Sequence, residues 1–212
     1  PEVNVMHLTH QIKPFDVREG AFLLLTNYWH FGKTVFVSVV DPEVGTDRKI
    51  LLVQTENYCF VGPDNGILWP VMEAEKVKTI IALDHSKVRN LTWKITRDDY
   101  FSRPISSAFE GRDVYCPAAA LYFKGVTDLG KRIKAEELRK LSFAPESLRG
   151  NSMICRVVFI DDYGNLVIGC TEKEFDDFVR GGKFAISIEN QTITRLSTTY
   201  AEGKKGELIA LF

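Results

Sequence analysis

The run at residues 34–40 (TVFVSVV) constrains the fold more than any other part of the sequence, because it is apolar almost throughout and rich in β-branched residues. A strand that is covered on both faces has such a continuous run, whereas a strand with one wet face alternates apolar and polar residues. The run ends at Asp41, and residues 42–46 (PEVGT) are typical of a turn. The sequence therefore predicts a doubly covered strand in an α/β domain, with a polar side chain at its carboxyl end.

An amphipathic helix is predicted before this strand, from residue 16 to about residue 30. Asp16 and Glu19 have the spacing of a capping box, with Asp in place of the usual Ser or Thr. Gly32 stands where a helix C-cap belongs. Four side chains recur at helical spacing and would share the buried face: Val17, Ala21, Leu24 and Tyr28.

Further elements of the first part of the chain follow from the same periodicities. A buried helix is predicted at residues 114–123 (VYCPAAALYF). A more charged stretch follows it and contains another predicted helix at residues 134–141. Three more strands are predicted, at residues 49–55, 58–61 and 77–83.

The second part of the chain has a different pattern, which is typical of an all-β module. Short apolar strands separated by turns are predicted at residues 153–160, 166–170, 184–188 and 192–196. The predicted fold class is therefore an α/β N-terminal domain followed by a small all-β C-terminal domain. The boundaries predicted are residues 1–141 for the α/β domain, 142–150 for a linker and 151–212 for the β domain.

Composition and charge argue against several classes of protein. The 212 residues include 27 basic and 28 acidic side chains, a formal net charge of −1, so no strong field favours nucleic acid or an anionic membrane surface. No apolar run approaches the roughly 20 residues that span a bilayer. We expect a cytoplasmic protein with neither nucleic acid nor a membrane as its partner.

Neither cysteine nor histidine is arranged for a metal site. The four cysteines lie far apart without a CxxC pair, which favours free thiols in a reducing cytosol. A short strand is predicted at residues 3–8. His7 and His10 are three residues apart on or near this strand and would not share a face. His30 is expected at a helix end and His85 in a loop, both without partners at zinc spacing. No bound metal is expected.

Four polar clusters lie at predicted strand ends or in loops, where open α/β sheets bind their ligands. Taken singly, each has a structural explanation as a cap, a tight turn or a hairpin loop, or, for Arg112 and Asp113, as a surface ion pair. Periodicity and spacing alone therefore leave the function open. The clusters lie at residues 41–48, 62–66, 110–113 and 161–165.

The clusters taken in order are a far more specific signal. The series is LTHQI (8–12), DVREGA (16–21), VVDP (39–42) with GT (45–46) and Arg48, FVGPDNG (60–66), GRD (111–113), ID and GNL (160–161 and 164–166), TYA (199–201) and GEL (206–208). It resembles the S-adenosyl-L-methionine hydroxide adenosyltransferases, which are relatives of the fluorinase and chlorinase enzymes. The resemblance covers nearly the whole chain.

The resemblance implies hydrolysis of S-adenosyl-L-methionine to adenosine and L-methionine, by attack of water on the ribose 5′ carbon. Asp41 and Arg48 match two members of the Asp-Arg-His set used by the family's hydrolytic branch, and Glu110 stands at the histidine's position. A carboxylate can orient water or accept its proton, and a guanidinium can stabilise developing hydroxide. Because the sulfonium is already a good leaving group, neither a general acid nor a cofactor is required.

The resemblance also implies the ligand contacts and the assembly. Asp161 matches a carboxylate that meets the methionine ammonium, and Asn165 matches an amide that reads adenine. The expected assembly is a homotrimer, with the ligand between the N-terminal domain of one subunit and a barrel-like C-terminal domain of its neighbour. Four more positions are expected to contact the substrate: Phe15, Asn65, Gly111 and Tyr163.

Three features depart from the family pattern. Glu110 replaces the histidine, and Glu43 replaces a glycine in the Asp-Pro turn. The family's opening strand with its Thr-Asp-Phe-Gly motif, and its closing Ser-Ser-Gly segment, are absent, so we expect the natural chain to be longer at both ends.

Two alternative functions remain open at this point. A non-catalytic protein that binds adenosine or S-adenosyl-L-methionine would be consistent with the change at Glu110. A halogenase is less favoured, because the halogenating relatives have tyrosine where Asp41 stands and a carboxylate there would repel halide. The fluorinase also has a long insert between the strands predicted here at residues 49–55 and 58–61, whereas this chain joins these two strands directly.

Overall fold

The computed structural model describes residues 3–98, 106 and 108–212. The chain divides into two compact units, Pro1–Ser142 and Phe143–Phe212. Residues 143–150, predicted as most of a linker, belong to the second unit. There Ser147–Arg149 pairs with Ser152–Ile154 as an antiparallel ribbon.

The first unit contains a five-stranded mixed sheet. Its strands are β1 (Thr34–Val37), β2 (Ile50–Gln54), β3 (Tyr58–Pro63), β4 (Thr79–Leu83) and β5 (Gly130–Arg132). The strand order is β1-β3-β2-β4-β5. β1 is parallel to β3, and all other neighbours are antiparallel. The two buried central strands, β2 and β3, correspond to the runs predicted at residues 49–55 and 58–61.

The run at residues 34–40 forms a shorter and more exposed strand than predicted. β1 ends at Val37 and lies at the edge of the five strands, and Val39 is 52% exposed. An edge strand has a neighbouring strand on one side alone, so its side chains have fewer neighbours than those of a central strand. An apolar run therefore does not by itself show burial on both faces. The chain nevertheless stays extended beyond β1, because the N–H of Ser38 donates to the carbonyl of Val61 at 2.9 Å. This extension leads directly to Asp41.

Among its described residues the first unit has four α-helices, and two of them were not predicted from sequence. The helices are α1 (Val17–Asn27), α2 (Trp69–Ala74), α3 (His85–Thr96) and α4 (Cys116–Phe123). Asp16 caps α1 as predicted, accepting from the N–H of Glu19 at 2.9 Å. The segments that were not predicted are α2 and α3. Within the described residues, no helix combines the length and the apolar character that a membrane crossing requires.

A π-helical turn, Gly111–Tyr115, leads into α4. This wide turn occurs where a buried helix was predicted to begin, and π-turns of this kind are rare and often lie at functional sites. Asp113 in the turn is 1% exposed and accepts from the partly exposed guanidinium of Arg112, at 2.7 Å from Nε. The ion pair of Arg112 and Asp113 is therefore buried on its acidic side.

The helix predicted at residues 134–141 is wrong. The structure has a single 3₁₀ turn there, Ala135–Glu137, and the chain is extended again at Leu138. Leu138 and Leu141 are both buried, and the N–H of Arg139 donates to Oδ1 of Asp64 at 3.0 Å. Because packing and a hydrogen bond to another loop satisfy this segment, its helical spacing does not decide its conformation.

The core of the first unit packs the sheet against α3, the π-helical turn and α4. Each aliphatic side chain that is fully buried in such a core contributes about 1.5–3 kcal/mol to stability. The cluster thereby fixes the helical segment that begins at Glu110 against the sheet. Its members include Ile50, Leu52, Val61, Ile81, Val88, Val114, Tyr115 and Ala118.

The second unit is built of three two-stranded antiparallel sheets and a helix, α5 (Glu172–Val179). The sheets pair β6 (Ser147–Arg149) with β7 (Ser152–Ile154), β8 (Val157–Ile160) with β9 (Leu166–Ile168), and β10 (Ile186–Ile188) with β11 (Gln191–Ile193). The helix contradicts the prediction of an all-β domain. Thr171 and Glu174 form a capping box at its start, a sequence signal that the strand pattern masked.

Candidate active site

A buried cluster of charged side chains lies at the end of the β1 extension. Asp41 follows that extension, Arg48 lies two residues before β2, and Glu110 opens the helical segment that leads through the π-turn to α4. The side chain of Arg48 is 1% exposed, and those of Asp41 and Glu110 are each 6% exposed. Three segments that are distant in sequence therefore bring the three predicted catalytic residues together.

The guanidinium of Arg48 joins the two carboxylates. Its Nε donates to Oδ1 and Oδ2 of Asp41 at 2.9 and 2.8 Å, and its Nη2 donates both to Oδ2 of Asp41 and to Oε2 of Glu110. Buried charges are tolerated in proteins when they are paired and hydrogen-bonded. The formal charge of the three side chains is −1, so the cluster holds one carboxylate charge more than its single cation neutralises.

One nitrogen of Arg48 remains open for a further contact. Nη1 is buried and has no hydrogen-bond partner among the described residues. Burial opposes the charge of this guanidinium, but hydrogen bonds to Asp41 and Glu110 outweigh it and raise the pKa of Arg48 above its ordinary value. Arg48 is thus a permanent cation with one unused donor, which is the arrangement that binds water or a developing oxyanion.

Tyr115 is a fourth member of the cluster that the sequence analysis did not identify. Its hydroxyl donates to Oδ2 of Asp41 at 2.8 Å, and its side chain is fully buried. Burial and this hydrogen bond to Asp41 raise the pKa of Tyr115 above its ordinary range, so it remains a neutral donor. Tyr115 lies in the π-helical turn that follows Glu110, and the residue spacing of a regular helix does not predict where its side chain points.

His85 also lies beside the cluster, which corrects one expectation. It is the first residue of α3 rather than part of a loop, because Asp84 caps that helix by accepting from the N–H of Lys87 at 2.9 Å. Its Nδ1 lies 3.8 Å from Oε1 of Glu110. Its side chain is 38% exposed.

The loop that carries Asp41 is held from two directions. Oε2 of Glu43 accepts from Nη1 of Arg139 at 2.5 Å, which ties the loop to the segment after β5. On the other side, Nδ2 of Asn65 donates to the carbonyl of Val40 at 2.8 Å, while Oδ1 of Asn65 accepts from the N–H of Ile67 at 3.1 Å. Asn65 therefore supports the strand end behind Asp41, and its predicted contact with substrate stays a prediction.

Two other predicted binding residues of the first unit lie at special backbone positions. Gly111 packs so closely that a Cβ would lie 2.7 Å from Cγ1 of Val39. Phe15 has a positive φ of 69°, immediately before the Asp16 cap, and its side chain is 75% exposed. A large aromatic side chain held outward in this way is available to cover a ligand.

The remaining predicted binding residues form a tight loop between β8 and β9 of the second unit. Asp161 accepts from Nδ2 of Asn165 at 2.7 Å and from the N–H groups of Asn165 and Tyr163 at 2.8 and 2.9 Å. The hydrogen bond from the Asn165 side chain, followed by those from the backbone, lowers the pKa of Asp161 below its ordinary value. The loop therefore presents an ionised carboxylate beside Tyr163, which is 93% exposed.

Two family models match most of the chain. The SAM hydroxide adenosyltransferase N-terminal domain matches residues 1–131, and the C-terminal domain of the same family matches residues 155–212. The chain belongs to the SAM hydroxide adenosyltransferase family. The resemblance inferred from the ordered motifs is thereby confirmed, and all nine predicted site residues lie within the two matched ranges.

Several relatives of this chain bear the name (R)-S-adenosyl-L-methionine hydrolase. That of Methanocaldococcus jannaschii is 32% identical over 178 residues, which cover 82% of this chain and 56% of the relative. That of Salinispora tropica is 27% identical over 99% of this chain and 75% of the relative. For Salinispora arenicola the identity is 30%, over 81% of this chain and 62% of the relative. The match with the first of these relatives thus spans little more than half of that relative's length.

The fold of the chain is also found in solved structures. A crystal structure of an uncharacterized conserved protein from Thermotoga maritima aligns with a TM-score of 0.77 at 25% identity, covering 100% of this chain and 78% of the other. A conserved hypothetical protein from Thermus thermophilus aligns with a TM-score of 0.65 at 24% identity, covering 94% and 70%. The second likeness concerns the fold alone.

Proposed function

We propose that the chain hydrolyses S-adenosyl-L-methionine to adenosine and L-methionine, with water attacking the ribose 5′ carbon. The observation that carries the proposal is the buried cluster of Asp41, Arg48 and Glu110, with an unused donor on Arg48. Membership of the SAM hydroxide adenosyltransferase family and the names of the relatives support the same reaction.

In this reaction the leaving group needs no assistance, whereas the water nucleophile must be desolvated and aligned with C5′. As the oxygen of water bonds to C5′, the C5′–S bond breaks and its electron pair goes to sulfur, which becomes the neutral thioether of methionine. The sulfonium needs no proton to leave, so the protein's task is to hold a desolvated water in line and to receive its proton. No metal or cofactor is part of this proposal.

Each member of the cluster has a role in that step. Asp41 orients the attacking water, and because Arg48 and Tyr115 both donate to it, its carboxylate is fixed in direction. Nη1 of Arg48 stabilises the negative charge that develops on the water oxygen. Glu110 takes the position of the family histidine and serves as a base, a role that a carboxylate can fill.

The proposed substrate contacts follow the family pattern. Asp161 binds the methionine ammonium, for which an ionised carboxylate is suited, and its lowered pKa keeps it charged at neutral pH. Asn165 reads the adenine, and the backbone of Gly111 lies beside the 5′ carbon. The aromatic rings of Phe15 and Tyr163 cover the nucleoside, and Asn65 supports the loop next to it.

The proposed assembly is a cytoplasmic homotrimer. The ligand would lie between the N-terminal domain of one subunit and the C-terminal domain of its neighbour, with the second unit forming a barrel-like module. Closed rings of this kind arise when one surface patch of each subunit binds a different patch of the next. Phe15 and Tyr163 are exposed in the single chain. In such an arrangement their rings would be covered by the ligand and the neighbouring subunit.

Adenosine release from S-adenosyl-L-methionine, followed by chromatography, tests the proposed reaction. Asp41→Asn and Arg48→Ala should each lower the rate by about 100-fold or more, since each removes a group that acts on the nucleophile. Asp176→Asn, an exposed change of the same chemistry on α5, is the matched control and should leave the rate unchanged.

Two results would contradict the proposed reaction. If wild type releases no adenosine but calorimetry detects adenosine binding, the protein is a binding protein. If adenosine forms equally fast in Asp41→Asn and in wild type, the cluster is not the catalytic site.

A further inference from the structure

The two oxygens of Glu110 face different neighbours. Oε2 accepts from Nη2 of Arg48 inside the cluster, while Oε1 lies 3.8 Å from Nδ1 of His85. The side chain of Glu110 is 6% exposed, and that of His85 is 38% exposed. Glu110 therefore stands between the buried guanidinium and an imidazole that reaches solvent.

The proposed reaction releases one proton in every turnover. S-adenosyl-L-methionine has a sulfonium cation, whereas adenosine and the thioether of methionine have none. The positive charge of the sulfonium is therefore released as H⁺ when water attacks. A proton left on a carboxylate beside Arg48 would block the next turnover, because that carboxylate could no longer act as a base. The cluster thus requires an exit for the proton, and most of its atoms are closed to solvent.

His85 is placed and surrounded in a way that suits such an exit. On its own helix the neighbouring charges are Asp84, which caps α3, Lys87, which pairs with Asp128 at 2.5 Å, and the buried Arg89, one helical turn along. From the helical segment opposite it faces Glu110, with Arg48 behind. A gap of 3.8 Å is closed by a small side-chain rotation or bridged by one water.

We propose that His85 acts through Glu110 as a positioning residue, and that it passes the proton released by hydrolysis from the buried cluster to solvent. The proton moves from the attacking water to the cluster, then from Glu110 to the imidazole, and finally to bulk water, so that each group regains its starting form. An imidazole has two ring nitrogens, so it can accept a proton on one side and donate one on the other, which suits it to this transfer. The inference rests on the proposed function.

The test is the pH dependence of adenosine release by the full chain carrying His85→Ala or His85→Gln. We expect the turnover number to fall by about tenfold or more while KM changes little, since His85 does not touch the substrate. The pH profile of turnover should change its shape, and added imidazole should restore much of the rate of His85→Ala. His85→Gln keeps a polar side chain at the start of α3 and separates loss of the relay from loss of the fold.

His30→Ala is the matched control, because His30 is exposed and lies in a 3₁₀ turn that belongs to none of the site segments. It should behave as wild type. Unchanged turnover in both His85 variants at every pH, with adenosine still formed, would overturn the relay and leave the proposed function standing. A loss of rate that imidazole does not restore and that leaves the pH profile unchanged would also overturn it. If wild type itself forms no adenosine, both proposals fail together.

Discussion

At the scale of single residues, the site depends on one guanidinium that serves two carboxylates. Arg48 keeps Asp41 and Glu110 in place although all three side chains are almost closed to solvent. Removing one partner of a buried ion pair costs about 3–5 kcal/mol, because it leaves an uncompensated charge. The proposed catalytic cluster is therefore also a point at which the first unit can be strongly destabilised.

Glu110 is the residue at which a sharp comparison is possible. Glu110→Gln keeps an acceptor for Arg48 but cannot take up a proton, so the rate of adenosine formation should fall by about 100-fold. Glu110→His restores a side chain that accepts a proton and also removes the excess negative charge, so its rate should equal or exceed that of wild type. Chromatography of adenosine across a pH series measures both variants.

The comparison needs a check that the two variants remain folded. Thermal unfolding followed by circular dichroism provides it, because a change in the buried cluster alters stability as well as chemistry. Equal rates for Glu110→Gln, Glu110→His and wild type would show that Glu110 has no role in proton transfer. A folded Glu110→His that is slower than Glu110→Gln would exclude a base at this position.

The sequence identified part of this cluster and missed the rest for a physical reason. Asp41 and Arg48 could be found because they belong to a motif whose order along the chain is a specific signal, and Glu110 because it immediately precedes another motif of that series. Tyr115 and His85 lie in no such motif, and their contacts arise from the π-turn and from the packing of α3 near Glu110. Juxtapositions of that kind depend on tertiary packing, which periodicity does not report.

At the scale of elements, the close approach of the π-turn to the β1 extension positions Glu110. Gly111→Ala would place a Cβ 2.7 Å from Cγ1 of Val39, so the Val39 side chain or one of the two segments must shift. We expect a loss of about 1–3 kcal/mol in the free energy of unfolding. Adenosine formation should fall as well, because Glu110 moves with Gly111.

Gly32→Ala is the matched control for this substitution. No atom lies within 4 Å of the position of its added Cβ, and its backbone is not in the left-handed region. Urea unfolding compares the two variants. If both alter stability equally, the close packing at Gly111 is not what fixes the turn.

The elements themselves were predicted unevenly. The strands β2, β3 and β4 and the cap of α1 followed from apolar runs and from the Asp16 signal, because burial and capping act locally. Two of the failures share one cause, which is that contacts made elsewhere override local spacing. Arg139 bonds to Asp64 instead of continuing a helix, and β1 lies at a sheet edge that its composition does not reveal.

At the scale of the whole molecule, the change of sequence pattern near residue 150 predicts two parts of different construction. The structure divides the chain after Ser142, and the second unit contains helix α5 in addition to its strands. The predicted site residues are distributed over both units. Asp41, Arg48 and Glu110 belong to the first, and the loop with Asp161 to the second. The proposed trimer combines the first unit of one subunit with the second unit of another.

Subunit complementation tests this shared site directly. Asp41→Asn removes the group that orients water, and Asp161→Asn removes the partner of the methionine ammonium, so each variant alone should be nearly inactive at low S-adenosyl-L-methionine. When the two variants are unfolded and refolded together, mixed trimers form. Some of their sites have both native carboxylates, because the Asp161→Asn chain supplies Asp41 and its Asp41→Asn neighbour supplies Asp161. Adenosine formation should recover to roughly a quarter of the wild-type rate, as random assembly pairs native units at about one site in four. Each variant refolded alone is the control, and light scattering should give the mass of three chains. A mixture no more active than the separate variants, although trimeric, would show that each site is built within a single chain.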